Sequence, residues 1–238
     1  MFFPERIVSI NPRDKVLEIG PGATPYFRSD VFLEKEYETE EELIAQSGYV
    51  GILKTDKRKV TYTGNIFPFA DKEFDYVVCS HVLEHVENLE FFLSEIQRVS
   101  KKGYFEFPTV YYDYIYNFPE HVNFLFYKDN VIRWMMKSES GLNKYESIQK
   151  FFYRTCELEY LDVIKSFKQY FFQGFEWVET IKAEKTNKIE LLTYSVEEIN
   201  LPRNSTLISN NMLANASPDY ANISLREHLK YKIKGLIK

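Results

Sequence analysis

Two glycines directly follow a short apolar segment, and this spacing suits a turn that binds a nucleotide-like ligand. Residues 16–22 read VLEIGPG, and the turn that closes this segment, called here the glycine turn, consists of Gly20, Pro21 and Gly22. A glycine lets the backbone approach a ligand closely, because no side chain fills that space. Glu18 offers a carboxylate to a cationic part of the ligand. Pro25 stands where a dinucleotide-binding turn has its third glycine, which disfavours hydride chemistry.

A second polar segment, SHVLEH at residues 80–85, follows a later apolar run. Open α/β sheets bind ligands at the carboxyl ends of their strands, so we expect Ser80 and His81 to line the site. Glu84 and His85 either cap the next helix or face a substrate. His81-x-x-Glu84-His85 on a helix is also a zinc-peptidase pattern, so a zinc hydrolase is an alternative. It leaves the glycine turn without a role, which disfavours it.

Strand and helix signals alternate through the first half of the chain and predict an α/β fold with a doubly wound, mostly parallel sheet. Apolar residues recur at helical spacing between Leu83 and Val99, which predicts an amphipathic helix. The five predicted strands lie at residues 16–19, 30–34, 60–64, 74–79 and 103–107.

The second half has a different texture. We predict one main domain over residues 1–199 that includes an inserted, largely helical cap at about 111–172. A C-terminal antiparallel hairpin is expected from residues 175–181 and 189–194. Residues 200–238 are predicted to form a polar linker and a basic amphipathic tail.

The segment VLEIGPG and the later run FPFADKEFDYVVCSHVLEHVENLEFFLSEIQRVSKKGYFEFPT resemble class I S-adenosylmethionine-dependent methyltransferases of the "type 11" form. The resemblance covers about residues 14–125. It implies a Rossmann-like methyltransferase fold in which the glycine turn holds the methionine part of S-adenosylmethionine. It also implies that an acidic residue ending the second strand binds the ribose hydroxyls. Glu34 fits this role, and Asp56 is the alternative if residues 49–53 form that strand instead.

Further site residues follow from the same resemblance. Asn65 and Ile66 lie where the family contacts adenine, although the usual residue at 65 is aspartate. Family members place a histidine after the fifth strand, so His121 is the first choice for a base, with Asp113 as its partner or substitute and His85 as another candidate. Methyl transfer needs positioning and sometimes a base, so we expect no metal.

Composition bounds the partners. The chain has 238 residues and a net charge of −5, with a balance of +4 in residues 224–238. An acidic main domain disfavours nucleic-acid binding. The basic tail is expected either to contact an anionic membrane or to dock on the acidic domain or on a second subunit, as in a homodimer.

No segment resembles a leader or a membrane span, and two cysteines are too few for a disulfide framework, so we expect a cytoplasmic protein. The expected acceptor is small and hydroxylated, such as a sugar in bacterial surface-glycan synthesis, or it is lipid-linked. A non-catalytic S-adenosylmethionine-binding scaffold is the main alternative, because a fold alone does not establish chemistry.

Overall fold

Six strands form one sheet in the order β3-β2-β1-β4-β5-β8. The first five strands are parallel, and β8 pairs antiparallel with β5. The order reverses direction between β1 and β4, which is the point where open α/β sheets bind ligands. The strands are β1 (Val16–Ile19), β2 (Val31–Lys35), β3 (Arg58–Tyr62), β4 (Tyr76–Ser80), β5 (Lys102–Pro108) and β8 (Phe172–Val178).

The computed structural model describes residues 1–37, 39, 41–42, 55–63 and 66–200. Within these ranges all five predicted parallel strands are present, each within about two residues of its predicted start. The doubly wound, mostly parallel α/β fold is therefore confirmed. The chain divides after Thr193, and the first unit, Met1–Thr193, is compact. The predicted linker and tail, from residue 201 onward, lie outside the described residues.

The central strands form because both of their faces are covered. All four residues of β1 are buried, and four of the five in β4 are, as expected for inner strands of a parallel sheet. Strand β3 at the edge alternates between exposed and half-buried residues. Helix α1 (Leu89–Val99) packs its apolar stripe on this sheet through Leu89, Phe92, Leu93, Ile96 and Val99.

The predicted single helix from Leu83 to Val99 is divided. Leu83–His85 forms a short 3-10 turn, and α1 begins only at Leu89. Asn88 explains the restart, because its side chain accepts a hydrogen bond from the backbone N–H of Phe91 and caps the helix.

The predicted helical cap also contains a β-hairpin that the apolar content of the sequence concealed. It holds helices α2 (Val110–Tyr116), α3 (Glu146–Glu157) and α4 (Asp162–Phe171), with strands β6 (Asn123–Lys128) and β7 (Val131–Met136) between α2 and α3. Asp129 and Asn130 connect β6 to β7 with φ values of 54° and 60°. Positive φ at both residues of a two-residue loop is the signature of a type I′ turn, which favours Asp and Asn.

The predicted hairpin between residues 175–181 and 189–194 is wrong. Strand β8 lies at the predicted place but pairs with β5, and its successor β9 (Lys182–Lys185) pairs parallel with β7 in a three-stranded sheet, β6-β7-β9. Ile189–Leu192 is a 3-10 turn. The pairing partners are far apart in sequence, so local alternation could not reveal them.

Both cysteines are free thiols in different surroundings. Cys79 is fully buried in β4, and Cys156 is half-buried near the end of α3. No helix in the described part of the chain combines the length and apolar character needed to cross a bilayer.

Candidate active site

The glycine turn lies at the carboxyl end of β1 and depends on its glycines for two different reasons. Gly20 and Gly22 have φ values of +61° and +55°, a backbone region that side chains rarely adopt. A Cβ on Gly20 would lie 2.6 Å from the Val82 Cγ2 methyl, so this glycine permits packing against the segment after β4. A Cβ on Gly22 would meet no atom within 4 Å, so the space beside Gly22 is open.

Glu18 anchors the glycine turn from below. Its buried carboxylate accepts hydrogen bonds from the backbone N–H of Tyr26, at 3.1 Å to Oε1 and 2.9 Å to Oε2. Burial raises the pKa of Glu18 to about 7, although the Tyr26 amide favours the charged form. The Glu18 carboxylate, which is predicted to meet a cationic ligand group, therefore also holds the segment between the glycine turn and Tyr26.

Glu34 lies beside the glycine turn, as its predicted ribose role requires. The backbone N–H of Gly20 donates to the carbonyl of Leu33, so the ends of β1 and β2 are adjacent. Burial raises the pKa of the Glu34 carboxyl. Asp56 precedes β3 and is exposed, which puts it at the opposite end of the parallel strands. The second strand is therefore the one that contains Glu34, and Asp56 does not fit.

These residues fit a cofactor with a nucleoside and a cationic chain. Gly22 would admit the chain beside the turn, and Glu34 offers two acceptor oxygens to a pair of hydroxyls. Of the predicted adenine contacts, Ile66 is 68% exposed, which leaves its side chain available to a planar ring. Asn65 lies outside the described residues.

Ser80 ends β4 and His81 follows it, and both contact Glu106 of the neighbouring strand β5. His81 Nε2 lies 3.1 Å and Ser80 Oγ 3.2 Å from Glu106 Oε1. Burial alone would lower the pKa of His81, but its hydrogen bond to Glu106 and the charge of Glu84 raise it to about 9. His81 also has a positive φ of 57°. Such backbone strain in a non-glycine residue is typical of functional sites.

Glu84 is fully buried and lies among three histidines. Its Oε1 is 3.3 Å from His81 Nδ1 and 4.0 Å from His85 Nε2. Within the described part of the chain, neither carboxylate oxygen of Glu84 makes a hydrogen bond. Burial opposes ionisation, but the neighbouring histidines lower the pKa of Glu84 overall.

His85 and His121 each use Nδ1 for a hydrogen bond. His121 Nδ1 lies 2.9 Å from Asp113 Oδ1, and His85 Nδ1 lies 3.0 Å from the carbonyl oxygen of Glu120. Because both partners accept hydrogen bonds, Nδ1 carries the proton in each ring and the lone pair is on Nε2. The rings meet edge to face, with centroids 4.9 Å apart. We call His81, Glu84, His85 and His121 the histidine cluster.

The inserted cap fixes the geometry of the cluster. The backbone N–H of Val122 donates to the carbonyl of Glu84 at 2.7 Å. Asn123 Nδ2 donates to the carbonyls of Leu83 and Val86 at 3.2 and 2.6 Å. Residues next to His121 therefore hold the 3-10 turn that carries Glu84 and His85.

The helical zinc-peptidase pattern is not formed. His81 has a left-handed backbone and Leu83–His85 is a 3-10 turn, so His81 and His85 do not share a helix face. His81 is engaged instead by Glu106. The zinc-hydrolase alternative built on His81-x-x-Glu84-His85 therefore lacks its geometry.

Sequence reasoning placed Asp113 beside His121, and the structure brings them together. It overlooked Glu106, which accepts hydrogen bonds from the backbone N–H groups of Phe2 and Phe3 and from the Tyr104 hydroxyl. A glutamate inside the apolar run of β5 was the available signal, since charged residues are seldom fully buried without partners.

The methyltransferase domain family matches residues 42–106 of this chain. This segment contains β3, β4, α1 and most of β5, and it begins after the glycine turn and Glu34. No curated protein matches the chain significantly.

Several solved structures are similar to part of this chain at low identity. YcgJ of Bacillus subtilis is 23% identical, with 46% of this chain and 54% of that protein covered and a TM-score of 0.31. PH0226 of Pyrococcus horikoshii is 19% identical, with 49% and 58% covered and a TM-score of 0.33. An S-adenosylmethionine-dependent methyltransferase of Thermotoga maritima is 21% identical, with 45% and 49% covered and a TM-score of 0.31.

The match with these proteins spans 49–58% of their own length. Residues 42–106 of this chain are therefore similar to a methyltransferase domain, and the strand order of the sheet is that of a doubly wound α/β fold.

Proposed function

We propose that this chain transfers the methyl group of S-adenosylmethionine to a hydroxyl oxygen of a small polar acceptor, such as a sugar used in bacterial surface-glycan synthesis. The observation that carries this proposal is the pairing of Asp113 with His121 beside the carboxyl ends of β4 and β5. A histidine whose Nδ1 is held by a carboxylate has its other nitrogen ready to take a proton.

S-adenosylmethionine supplies a methyl carbon activated by the sulfonium, so the protein must mainly position an acceptor and remove its proton. His121 Nε2 takes that proton, while Asp113 keeps the ring in the correct tautomer. Burial alone would lower the pKa of His121, but the charge of Asp113 raises it above its usual value. The base is then unprotonated, and active, above that raised pKa.

The sugar acceptor rests on two weaker supports. Aromatic rings lie beside the base, with Phe118 stacked on His121 at 5.1 Å and Tyr112 stacked on Phe118 at 5.1 Å, and such faces suit a sugar ring. A composition rich in Lys, Asn, Phe and Tyr also suits an AT-rich bacterial genome.

The test is transfer of a labelled methyl group to a panel of sugars, nucleotide sugars, lipid-linked saccharides and amines. Once an acceptor is found, we expect His121→Gln to lower kcat by about 10²–10⁴-fold, the usual contribution of a general base. Binding of S-adenosylmethionine should stay unchanged. Asp162→Asn is the matched control, because Asp162 is an exposed acid at the start of α4.

Three results would contradict parts of the proposal. Normal turnover by His121→Gln moves the base to His85 or Asp113, or removes the need for one. Methylation at nitrogen contradicts the hydroxyl acceptor. Cofactor binding without transfer to any acceptor favours the scaffold alternative.

A further inference from the structure

We propose that Glu84, His85 and His121 form a binding site for one divalent transition-metal ion of the Zn²⁺ or Fe²⁺ type. One ligand atom from each residue lies within 4.8 Å of the other two. Two histidines and one carboxylate are a donor set that proteins use for such ions. The residues come from the segment after β4 and from the cap, so the site exists only in the folded chain.

The orientation of the rings supports coordination. Metal-binding histidines usually donate the proton of the second ring nitrogen to a carboxylate or a backbone carbonyl. His121 does so to Asp113 and His85 to the carbonyl of Glu120, at 2.9 and 3.0 Å. Each ring thus keeps its Nε2 free of the hydrogen bond that Nδ1 makes, and His85 Nε2 lies 4.0 Å from Glu84 Oε1.

Glu84 supplies the independent observation. It is 0% exposed, and within the described ranges neither of its oxygens has a hydrogen-bond partner. A buried carboxylate without hydrogen bonds is costly, so it normally faces a compensating cation. His81 provides one such charge at 3.3 Å from Glu84, but it shares that charge with Glu106, whose Oε1 lies 3.1 Å from His81 Nε2.

The donor set also selects the ion. Imidazole nitrogen favours Zn²⁺, Fe²⁺, Co²⁺ and Ni²⁺ over Mg²⁺ and Ca²⁺, which prefer oxygen ligands. Bonds of about 2.0–2.2 Å to a single ion require the three ligand atoms to converge from their present spacing by roughly 1 Å. The short torsional movements of two imidazoles and one glutamate supply this convergence.

The site goes beyond the proposed methyl transfer and changes how His121 acts. A metal on Nε2 occupies the lone pair that otherwise accepts a proton, so the metal-bound form and the general-base form of His121 exclude each other. Metal binding needs neither acceptor nor cofactor, so it can fail while the methyltransferase assignment stands, and the reverse is also true.

The test uses the full chain after a chelator has removed its metals. This protein is titrated with Zn²⁺, and separately with Mg²⁺, in a calorimeter. We expect one equivalent of Zn²⁺ to bind and to raise Tm, because the ion binds only the folded state. Glu84→Gln, His85→Gln and His121→Gln should each abolish this binding. Asp113→Asn should weaken it by about 10–100-fold, as the loss of a supporting hydrogen bond to a ligand does.

Glu87→Gln is the matched control, since Glu87 lies three residues after Glu84 but is exposed and is not one of the three proposed ligands. Co²⁺ absorption in the visible range provides a second readout that reports nitrogen ligands directly. Near-ultraviolet circular dichroism shows which variants are folded. If the variants of the three ligands are unfolded, the weakening of Zn²⁺ binding by Asp113→Asn becomes the test of the site. The proposal would be overturned if Zn²⁺ did not bind or if the protein bound Mg²⁺ more tightly than Zn²⁺. It would also be overturned if the folded variants Glu84→Gln and His121→Gln still bound Zn²⁺.

Discussion

Glu18 and Glu84 are both buried carboxylates near the carboxyl ends of adjacent strands, but their surroundings give them opposite behaviour. A backbone amide holds Glu18, and burial raises its pKa to about 7. Histidines surround Glu84 and, against the effect of burial, lower its pKa. Burial alone therefore does not decide the charge of an acid in this protein. The part of the site around Glu18, called here the cofactor side, is held by backbone hydrogen bonds. The part around Glu84, called here the acceptor side, consists of titratable side chains.

The largest test of this contrast is Glu106→Gln. Glu106 accepts from two backbone amides and the Tyr104 hydroxyl and also pairs with His81. Removing one partner of a buried ion pair costs about 3–5 kcal/mol, so we expect a loss of that order in the free energy of unfolding. Urea denaturation measures it.

The matched control is Glu176→Gln. Glu176 likewise accepts from two backbone amides, of Val8 and Ser9, and from the hydroxyls of Ser9 and Tyr76, but it has no histidine partner among the described residues. It should cost only about 1–2 kcal/mol, the value of hydrogen bonds without an ion pair. Equal losses in the two variants would show that His81 contributes nothing to the stability of this side.

The next largest effect concerns the two glycines of the cofactor side. Gly20→Ala combines a left-handed backbone with a clash against Val82, which together should cost about 2–4 kcal/mol of unfolding free energy. Gly22→Ala meets no clash and should cost about 1–2 kcal/mol for its backbone alone. For each kcal/mol of stability lost, we expect Gly22→Ala to weaken cofactor binding more than Gly20→Ala does. Denaturation and calorimetry with S-adenosylmethionine separate the two; a strong binding loss confined to Gly20→Ala would reverse their assignment.

The pH dependence of stability should differ between the two sides. Because the folded pKa of His81 is raised to about 9, its stabilisation is complete below pH 6.5 and is lost as pH rises through 9. Because the folded pKa of Glu18 is raised to about 7, its ionisation lowers stability as pH rises from about 4.5 to 7. The difference in unfolding free energy between wild type and His81→Gln should shrink above pH 8. A constant difference from pH 6 to pH 10 would contradict the ion pair.

Glu18 also predicts proton release on cofactor binding. A cationic ligand group near Glu18 favours the carboxylate, so protons should leave the protein when S-adenosylmethionine binds between pH 5 and 7. Calorimetry in buffers with different ionisation heats measures this release. It should be absent in Glu18→Gln, and equal release by both proteins would assign the proton elsewhere.

The smallest predicted effect lies in the cap. Asn130→Gly places the residue preferred at the second position of a type I′ turn and should stabilise the hairpin by about 0.5–1 kcal/mol. Because β6 carries Asn123, which holds the turn of Glu84 and His85, methyl transfer should be unaffected or slightly more heat-resistant. Destabilisation would show that Asn130 makes a required contact through its side-chain hydrogen bond to Tyr127.

The same contrast explains what the sequence could predict. The cofactor side depends on local signals, such as a strand followed by two glycines and Glu34 at the end of the next strand, and these predicted the sheet correctly. The acceptor side depends on contacts between distant residues. Asp113 and His121 lie eight positions apart and were paired, whereas Glu106 and His81 are 25 apart and were not. The partners of β8 and β9 were missed for the same reason.

Because Cys79 is buried, chemical modification of its thiol can report when the sheet opens at β4. This thiol lies inside the sheet, immediately before Ser80, whereas Cys156 is half-buried in the cap. A small alkylating reagent should therefore modify Cys156 in the native protein and reach Cys79 only when the sheet opens. Mass spectra taken over time give the two modification rates. Their ratio measures how rarely the floor of the candidate active site is exposed to solvent.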